Sequence, residues 1–427
     1  GAFWRVIELT QKELHRLKVI ENAVAGHISV GKAGSLLGLS ARQVKRLKRR
    51  CQAGEVEWVR HGNRGRKKPW RLPESVCRKV RELAKGKYAG FNDSHLTEKL
   101  QEKENLRISR ESVRRILRGA GIASPNKRRP RQYRSRRERR PRMGMMLLTD
   151  GSRENWLERR GPALTLIGFQ DDATGQVLAA RFQLEHEDTV GYLRVLREVV
   201  ERHGIPLSLY RDRHGTFQRN DQYWSVEEEL AGRQTPTQLG RVLEELGIEQ
   251  IAALSPQAKG RIERLWKTFQ DRLRSELRLA RAATVEQANE VLTAFLPDYN
   301  QRFAKPAREV GNDFRPLSRK VNRDRLFSLK YERVVGKDHV ISFGARSIQL
   351  PPLKGQRGYA GTKVVVSHQL NGEVHVWLGE RDLHHVAMPL DYAPGLAPRR
   401  PAMTSQAKRG KPPRIYVLGG RAAVAVR

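Results

Sequence analysis

The chain has 427 residues, of which 83 are Lys or Arg and 46 are Asp or Glu, so its formal net charge is +37. A chain of this length is usually too long to fold around one hydrophobic core, so we expect two to four domains. The charge favours DNA or RNA as partner, because each phosphate that a basic side chain neutralises releases a counterion. No apolar run reaches the roughly 18 residues of a membrane span, and no basic stretch has a wide apolar face with aromatic anchors. We therefore predict no membrane partner.

The two cysteines and the N-terminus indicate the compartment. Cys51 and Cys77 lack CxxC spacing, which excludes a zinc ribbon or a disulfide framework. The opening residues GAFWRVIELT do not show the basic and apolar regions of a signal peptide, and they lack an initiator Met. We predict a reducing, cytoplasmic location.

Residues 1–66 are predicted to form a helix-turn-helix domain. A helix over 30–37 breaks at Gly38, and Ser40 is placed to cap a second helix. The second helix of such a motif lies in the DNA major groove. The side chains on its outer face, which we expect to contact DNA, are Arg42, Gln43, Lys45, Arg46 and Arg49. The alternative is a short helical hairpin whose basic face is only solvated.

A second unit with a similar helical pattern is predicted over residues 67–125. Ser109 is placed to cap its last helix. The basic side chains that project from this helix, and that we expect to contact DNA, are Arg114, Arg115 and Arg118. Residues 126–142 are dense in Arg and Lys and lack an apolar core, so we predict a disordered or DNA-tracking linker.

From residue 143 to residue 310, strands alternate with helices in the order βββαβαβα, which predicts a mixed sheet flanked by helices. The segment GMMLLTD is predicted as a strand that ends in Asp150, and PLSLYRD as a strand that ends in Asp212. The last helix lies in SPQAKGRIERLWKTFQDRL, and Glu263 is the acid in its first turns.

Asp150, Asp212 and Glu263 are predicted to converge, because the ends of adjacent strands and the start of a packed helix meet at one edge of a sheet. Crowded carboxylates repel unless they are neutralised, and a hard divalent cation such as Mg²⁺ is the natural partner. The apolar stripe that would pack the helix on the sheet consists of Ile262, Leu265, Phe269 and Leu273. The alternative for Glu263 is an exposed pair with a lysine on the same helix.

Short alternating segments from residue 325 to residue 392 predict a small β-barrel. Residues 393–427 are rich in Pro, Arg and Lys and are predicted to form a flexible basic tail. The predicted fold class is therefore multidomain. All-α helix-turn-helix units precede an α/β core, and a small β-barrel follows it.

The stretches MMLLTDGS, LYRDRHGTF and SPQAKGRIERLWKTFQDRL together resemble the DDE transposases and retroviral-integrase-like recombinases, in particular bacterial insertion-sequence transposases of the ISNCY type. The resemblance covers nearly the whole chain. It implies an RNase H-like core in which Asp150, Asp212 and Glu263 hold two Mg²⁺ ions, for which Mn²⁺ would substitute.

The resemblance also implies an activity and partners. The protein would be a DNA transposase that binds the terminal inverted repeats of its mobile element, cleaves the ends and joins them to target DNA, with no covalent protein nucleophile. Its partners would be double-stranded DNA and at least one further copy of the chain, since two ends must be brought together. We expect it near the bacterial nucleoid.

Further residues near the three motifs receive smaller roles. Lys259, Arg261 and Lys267 are expected to contact phosphates near the scissile bond, with a generic basic face as the alternative. His214 is a candidate for orienting a water or a phosphate, and Trp156 is expected to pack. Asp171 and Asp172 are assigned to a turn that favours Asp for backbone reasons.

Two positions depart from the family pattern. Glu154 stands where the family usually has histidine, and the second motif reads YRDRH, with Arg211, where the family is nearer YSDKH. The alternative function is therefore a catalytically inactive or domesticated DNA-binding protein of the same fold. A simple nuclease fits less well, because tandem helix-turn-helix units are not a usual part of nuclease substrate binding.

Overall fold

The computed structural model describes most of the chain. The described residues are 8–54, 57–60, 72–125, 130, 137–219, 221, 223–253, 260–352, 358–390, 415–418 and 421–424. The chain divides into two compact units, residues 1–82 and residues 83–427. Among the described residues, no helix combines the length and the apolar character that crossing a membrane requires.

The first unit contains the predicted helix-turn-helix. Its elements are α1 (Gln11–Val24), α2 (Val30–Leu37), α3 (Ala41–Gln52) and a 3₁₀ turn at Glu57–Val59. Gly38 ends α2 with φ of 63°, a left-handed conformation that glycine adopts without steric cost. Ser40 caps α3 in a capping box with Gln43. The helix, the break and the capped second helix are thus confirmed.

Three further helices precede the sheet: α4 (Glu74–Lys85), α5 (Asp93–Glu104) and α6 (Arg110–Gly119). The Asn92 side chain caps α5, and the Ser109 hydroxyl caps α6 by accepting the Ser112 N–H at 3.2 Å. The predicted Ser109 cap is confirmed.

A five-stranded sheet forms the centre of the second unit. Its strands are β1 (Leu147–Glu154), β2 (Leu164–Asp171), β3 (Val177–Leu184), β4 (Ser208–Arg211) and β5 (Glu249–Ala252). Their order across the sheet is β3-β2-β1-β4-β5, in which β1 to β3 are antiparallel and β4 and β5 run parallel to β1. The helical crossovers that parallel strands require are α7 (Thr189–His203), α8 (Val226–Ala231) and α9 (Gln238–Glu245). The predicted mixed sheet is confirmed, with α8 added.

Helices cover both faces of this sheet. Alternate strand residues point to opposite faces, so Leu147 joins the hydrophobic core under α7 and α9, whereas Leu148 joins the core on the other side. That second core is covered by α10 (Gly260–Leu279) and α11 (Val285–Phe303). The four residues of the predicted stripe on α10 are all buried, which confirms the face on which this helix packs.

The predicted end of the first strand at Asp150 is wrong. β1 continues to Glu154, because β2 pairs with it along the whole length, from Leu147 opposite Asp171 to Glu154 opposite Leu164. Backbone pairing with a neighbour, not the apolar run in the sequence, sets the length of the strand. The parallel pairing with β4 covers only the first two residues of β1.

A small β-domain follows the core. Its elements are α12 (Arg323–Leu326), β6 (Ser328–Val334), β7 (Val340–Phe343), β8 (Arg346–Gln349), β9 (Lys363–Gln369), β10 (Glu373–Leu378) and β11 (Arg381–Ala387). These strands form a four-stranded sheet, β11-β10-β9-β6, and a hairpin, β7-β8, around a shared core. Within the described residues they do not close into a barrel, so the predicted barrel is not confirmed.

Two segments that we predicted to lack regular structure contain strands or residues that contact the core. In the predicted tail, β12 (Ile415–Leu418) and β13 (Arg421–Val424) form an antiparallel pair, and the remainder of residues 393–427 lies outside the described residues. In the predicted linker, residues 137–142 lie against the core, and their contacts are given below. Residues 126–129 and 131–136 lie outside the described residues.

Replacing Phe269 tests how firmly α10 is held on the sheet. This side chain is fully buried and makes edge contacts with Trp266, Phe295 and Tyr299. We expect Phe269→Ala to lower the free energy of unfolding by about 3–5 kcal/mol, because it leaves a cavity. Urea unfolding followed by tryptophan fluorescence measures this. Val310→Ala, at a fully exposed position, is the control. Equal stability of the two variants would contradict the packing.

Candidate active site

Asp150 and Asp212 lie on neighbouring strands. Asp150 comes two residues after the part of β1 that pairs with β4, and Asp212 directly follows β4. Both carboxylates act on the buried Tyr192 hydroxyl of α7. The pKa of Tyr192 is raised well above its ordinary value, first by burial, then by Glu187, Asp150 and Asp212. The structure therefore brings the two predicted acids into one region.

Glu263 approaches the same region from α10. It lies in the first turn of that helix and is half-buried. One turn later, the Trp266 indole Nε1 donates to Asp150 Oδ2 at 3.3 Å. Residues three apart on a helix share a face, so Glu263 lies on the side of α10 that meets Asp150.

β1 and α10 contact each other in a regular series, which we call the β1–α10 ladder. Its strand members are Asp150, Ser152 and Glu154, and its helix members are Trp266, Gln270 and Arg274. Two strand residues advance about 6.6 Å and four helix residues about 6 Å. The two repeats therefore stay in step over the whole length of the contact.

The ladder accommodates the departure at Glu154. Its carboxylate accepts from Gln270 Nε2 at 3.3 Å and from Arg274 at 3.2 Å. The second departure, Arg211, is buried and donates to neutral acceptors: the Asp212 carbonyl at 2.8 Å, Gln218 at 2.9 Å and Gln250 at 3.1 Å. Glu154 and Arg211 thus form these hydrogen bonds without involving the Asp212 carboxylate.

The donor set suits a hard cation. In the described part of the chain, no group of three or more His, Cys, Asp or Glu residues is arranged to hold a metal ion by itself. Magnesium sites in phosphoryl-transfer enzymes commonly use one or two carboxylates, with substrate phosphates and waters as the other ligands. Asp150 and Asp212 are two such carboxylates in one region, and Glu263 lies on the side of α10 that meets Asp150.

Two curated relatives resemble the chain over most of its length. The putative transposase y4bF of Sinorhizobium fredii (strain NBRC 101917 / NGR234) is 34% identical over 376 residues, which cover 88% of this chain and 80% of that protein. The chain belongs to the transposases. The transposase for insertion sequence IS1202 of Streptococcus pneumoniae is 28% identical over 420 residues, 89% of this chain and 87% of that protein. No family model matches the chain.

Solved integrase and transposase structures show a weaker likeness to this transposase. The simian T-cell lymphotropic virus intasome in complex with PP2A regulatory subunit B56 gamma is 12% identical, with a TM-score of 0.30, and covers 73% of this chain and 96% of that chain. The Mos1 strand transfer complex is 14% identical, with a TM-score of 0.26, and covers 70% of this chain and 93% of that chain. Likenesses of this strength carry no functional argument.

Glu187, which the sequence analysis did not single out, lies beside the two aspartates. Its Oε2 accepts from the Tyr192 hydroxyl at 2.7 Å, and its Oε1 is 3.3 Å from His214 Nε2. The main-chain N–H of His214 donates to Asp212 Oδ1 at 2.9 Å. Its position in the sequence was the one signal that could have indicated it. Glu187 lies two residues before α7, the helix that begins near Asp150. Several acids share that stretch, so the sequence alone did not distinguish it.

Trp156 packs, as expected. It is fully buried, its Nε1 donates to the Ser152 carbonyl at 3.1 Å, and its ring meets Phe182 edge-on at 5.4 Å. This tryptophan therefore supports the middle of β1 from the α10 side of the sheet.

Asp172 has a larger role than the turn that was predicted for it. It is fully buried and accepts from Arg137 at 2.6 and 3.2 Å, from the Arg140 main-chain N–H at 2.8 Å and from Arg261. Burial alone would raise the pKa of Asp172, but the hydrogen bond from Arg137 and the other contacts hold it below its ordinary value. One carboxylate thus joins residues 137–140 to the first turn of α10.

This contact changes the interpretation of Arg261. Its guanidinium donates to Asp172 and to the Arg137 carbonyl, so it has a structural role, and its predicted phosphate contact stays a prediction. Lys267 is exposed one turn after Glu263, and its predicted phosphate contact stays a prediction. Lys259 lies outside the described residues.

The predicted DNA-reading residues of the first unit divide into two groups. Arg42, Lys45, Arg46 and Arg49 of the predicted set are exposed on α3. Gln43 instead accepts from the Ser40 N–H at 3.0 Å and from the Ser40 hydroxyl at 3.1 Å, which commits its carbonyl oxygen to the helix cap.

A similar division holds for α6. Arg114 and Arg115 are exposed, and Arg114 pairs with Glu111 at 3.0 Å on the helix surface. Arg118 donates to Asp93 Oδ2 at 2.6 Å and to the Ile122 carbonyl at 2.7 Å, so it holds α6 against α5. Its predicted DNA contact stays a prediction.

The helix α5 is joined to α10 and α11 by ion pairs. Arg272 donates to both carboxylate oxygens of Glu98, at 2.6 and 3.0 Å, and Arg302 adds a contact to Glu98 at 3.3 Å. His95 and Lys99 contact Glu276 at 2.6 and 2.7 Å. The second helical region is therefore fixed to the helix that carries Glu263.

Removing the charge of Asp172 tests the buried contact. We expect Asp172→Asn to cost about 3 kcal/mol of folding stability at pH 7, because Arg137 and Arg261 lose their common anion. The folded pKa of Asp172 is below its unfolded value. The contribution is therefore complete above about pH 4 and is lost as the pH falls through the lowered pKa.

Urea unfolding at pH 7 and in acid measures both effects, and the difference from the wild type should shrink in acid. The control is Asp298→Asn, which alters an exposed ion pair with Arg302. A difference that persists unchanged in acid would contradict the assignment.

A double-mutant cycle tests the contact between α5 and α10. We expect Glu98→Gln and Arg272→Met to show a coupling of about 1–3 kcal/mol in unfolding free energy, because the pair is bidentate and Arg272 is mostly buried. The matched control is Glu111 with Arg114, an exposed pair on α6, for which about 0.3 kcal/mol is expected. Equal coupling in the two cycles would mean that α5 does not depend on this contact.

Proposed function

We propose that this transposase binds the terminal inverted repeats of its mobile element, cleaves the ends and joins them to target DNA, using Asp150, Asp212 and Glu263. The observation that carries the proposal is the convergence of two elements. Asp150 lies within β1 and Asp212 directly follows the adjacent parallel strand β4, while the β1–α10 ladder aligns the helix of Glu263 with Asp150.

The three acids would hold two Mg²⁺ ions, with Mn²⁺ as a substitute. Bound ions would activate water or a DNA 3′-OH as nucleophile and stabilise the leaving oxygen in an in-line displacement. The rest of the catalytic contribution comes from pre-orientation by the chain itself. Trp266 holds the carboxylate of Asp150, and the His214 N–H holds that of Asp212, so both acids are fixed before substrate arrives.

DNA would be held at more than one place along the chain. The basic face of α3 and the exposed Arg114 and Arg115 of α6 are the proposed contacts for the element's ends, and Lys259 and Lys267 are the proposed contacts near the scissile bond. Because such contacts release counterions, binding should weaken steeply with salt. Two ends must meet, so the active form contains at least two copies of the chain.

A joining assay with precut, labelled ends and a plasmid target, in Mg²⁺, tests the proposal. We expect Asp212→Asn to lower the joining rate by at least about 10³-fold, since it removes a metal-binding charge. End binding should stay within a few-fold, because the basic faces are unchanged. Asp298→Asn is the matched control, since it makes the same chemical change at an exposed position on α11.

The same assay also distinguishes the proposed transposase from the alternative function. Specific end binding by the wild type, with no joining in Mg²⁺ or Mn²⁺, would indicate a DNA-binding protein that keeps the transposase fold. Equal loss of binding and joining in Asp212→Asn would contradict the assigned role of this residue.

A further inference from the structure

Glu187 contacts residues on two sides of the proposed catalytic region, one on α7 and one in the turn after β4. Tyr192, fully buried on α7, donates its hydroxyl to Glu187 Oε2 at 2.7 Å. On the other side, Glu187 Oε1 is 3.3 Å from His214 Nε2. The carboxylate therefore joins the start of α7 to the turn that follows β4, and that turn begins with Asp212.

The His214 ring is held through both nitrogen atoms. Nδ1 is 2.9 Å from the Thr216 hydroxyl and accepts the Thr216 main-chain N–H at 3.4 Å. An accepting Nδ1 leaves the proton on Nε2, which then donates to Glu187. His214 in turn supplies the N–H that binds the Asp212 carboxylate. A displaced ring would therefore move the N–H that orients Asp212.

Gly151 provides the space for this arrangement. A Cβ atom at position 151 would lie 2.1 Å from Glu187 Oε2 and 3.0 Å from Glu187 Cδ, closer than atoms can approach. The glycine that follows Asp150 in the TDGS motif is thus needed for a steric reason. Any larger residue would push the Glu187 carboxylate away from Tyr192 and His214.

We infer that Glu187 is a positioning residue of the transposase, which fixes His214 and thereby the Asp212 carboxylate, and that Gly151 is required because it leaves room for Glu187. This inference rests on the proposed function. It assigns Glu187 a role through hydrogen bonds, so the geometry of its side chain matters more than its charge.

Three variants test the inference in the full chain. We expect Glu187→Ala and Gly151→Ala to lower the single-turnover joining rate by about 10–100-fold, the usual effect of losing a group that orients a metal ligand. The Kd for end DNA and the Tm should change little. Glu187→Gln should restore the rate to within a few-fold of the wild type, because the amide oxygen accepts from His214 Nε2 and the amide N–H donates to the Tyr192 hydroxyl oxygen, with the His214 tautomer unchanged.

Gly119→Ala is the matched control, since no atom lies within 4 Å of a Cβ at that position. Glu187→Gln as impaired as Glu187→Ala would overturn the inference, because the charge itself would then be required. A Gly151→Ala variant with the wild-type rate would overturn it as well. If the wild type itself fails to join ends, the proposed function is contradicted, and the role of Glu187, which rests on it, is contradicted with it; a wild type that joins ends isolates the test of Glu187.

Discussion

The contact between β1 and α10 is the constraint on which the rest of the active site depends. Glu263 is distant in sequence from the two aspartates, and only the packing of its helix brings it to them. The register is set by Trp266, which reaches Asp150 and lies over Gly168, the residue of β2 opposite Asp150. A Cβ at position 168 would already be 3.0 Å from the Trp266 ring. A small residue on β2 therefore allows a large one on α10 to hold Asp150, one of the three proposed catalytic acids.

The strong positive charge of the chain is only partly a DNA-binding surface. Arg261 and Arg137 pair with the buried Asp172, Arg272 and Arg302 with Glu98, and Arg118 with Asp93. These pairs use acids to attach basic segments and helices to the core. The count of 83 Lys and Arg residues therefore overstates the number of basic side chains available to phosphates. A protein that binds polyanions can use arginines to stabilise its own fold as well as to bind its substrate.

The sequence predicted the elements that are set by local rules. The caps at Ser40 and Ser109, the apolar stripe of α10 and the order of strands and helices follow from spacing and side-chain type, and they are confirmed. What it did not predict depends on long-range contacts. The extension of β1 beyond Asp150 is imposed by pairing with β2. The roles of Asp172 and Glu187 arise from partners far away in the chain, and neither residue belongs to a periodic pattern.

Locating a bound metal ion would test the central claim most directly. The measurement is the anomalous scattering of Mn²⁺ in crystals of the full chain with end DNA. The account predicts a peak between the carboxylates of Asp150 and Asp212, within about 2.3 Å of an oxygen from each, with Glu263 in reach of the same ion or a second one. A Mn²⁺ ion held by other acids, with these three carboxylates unliganded, would contradict it.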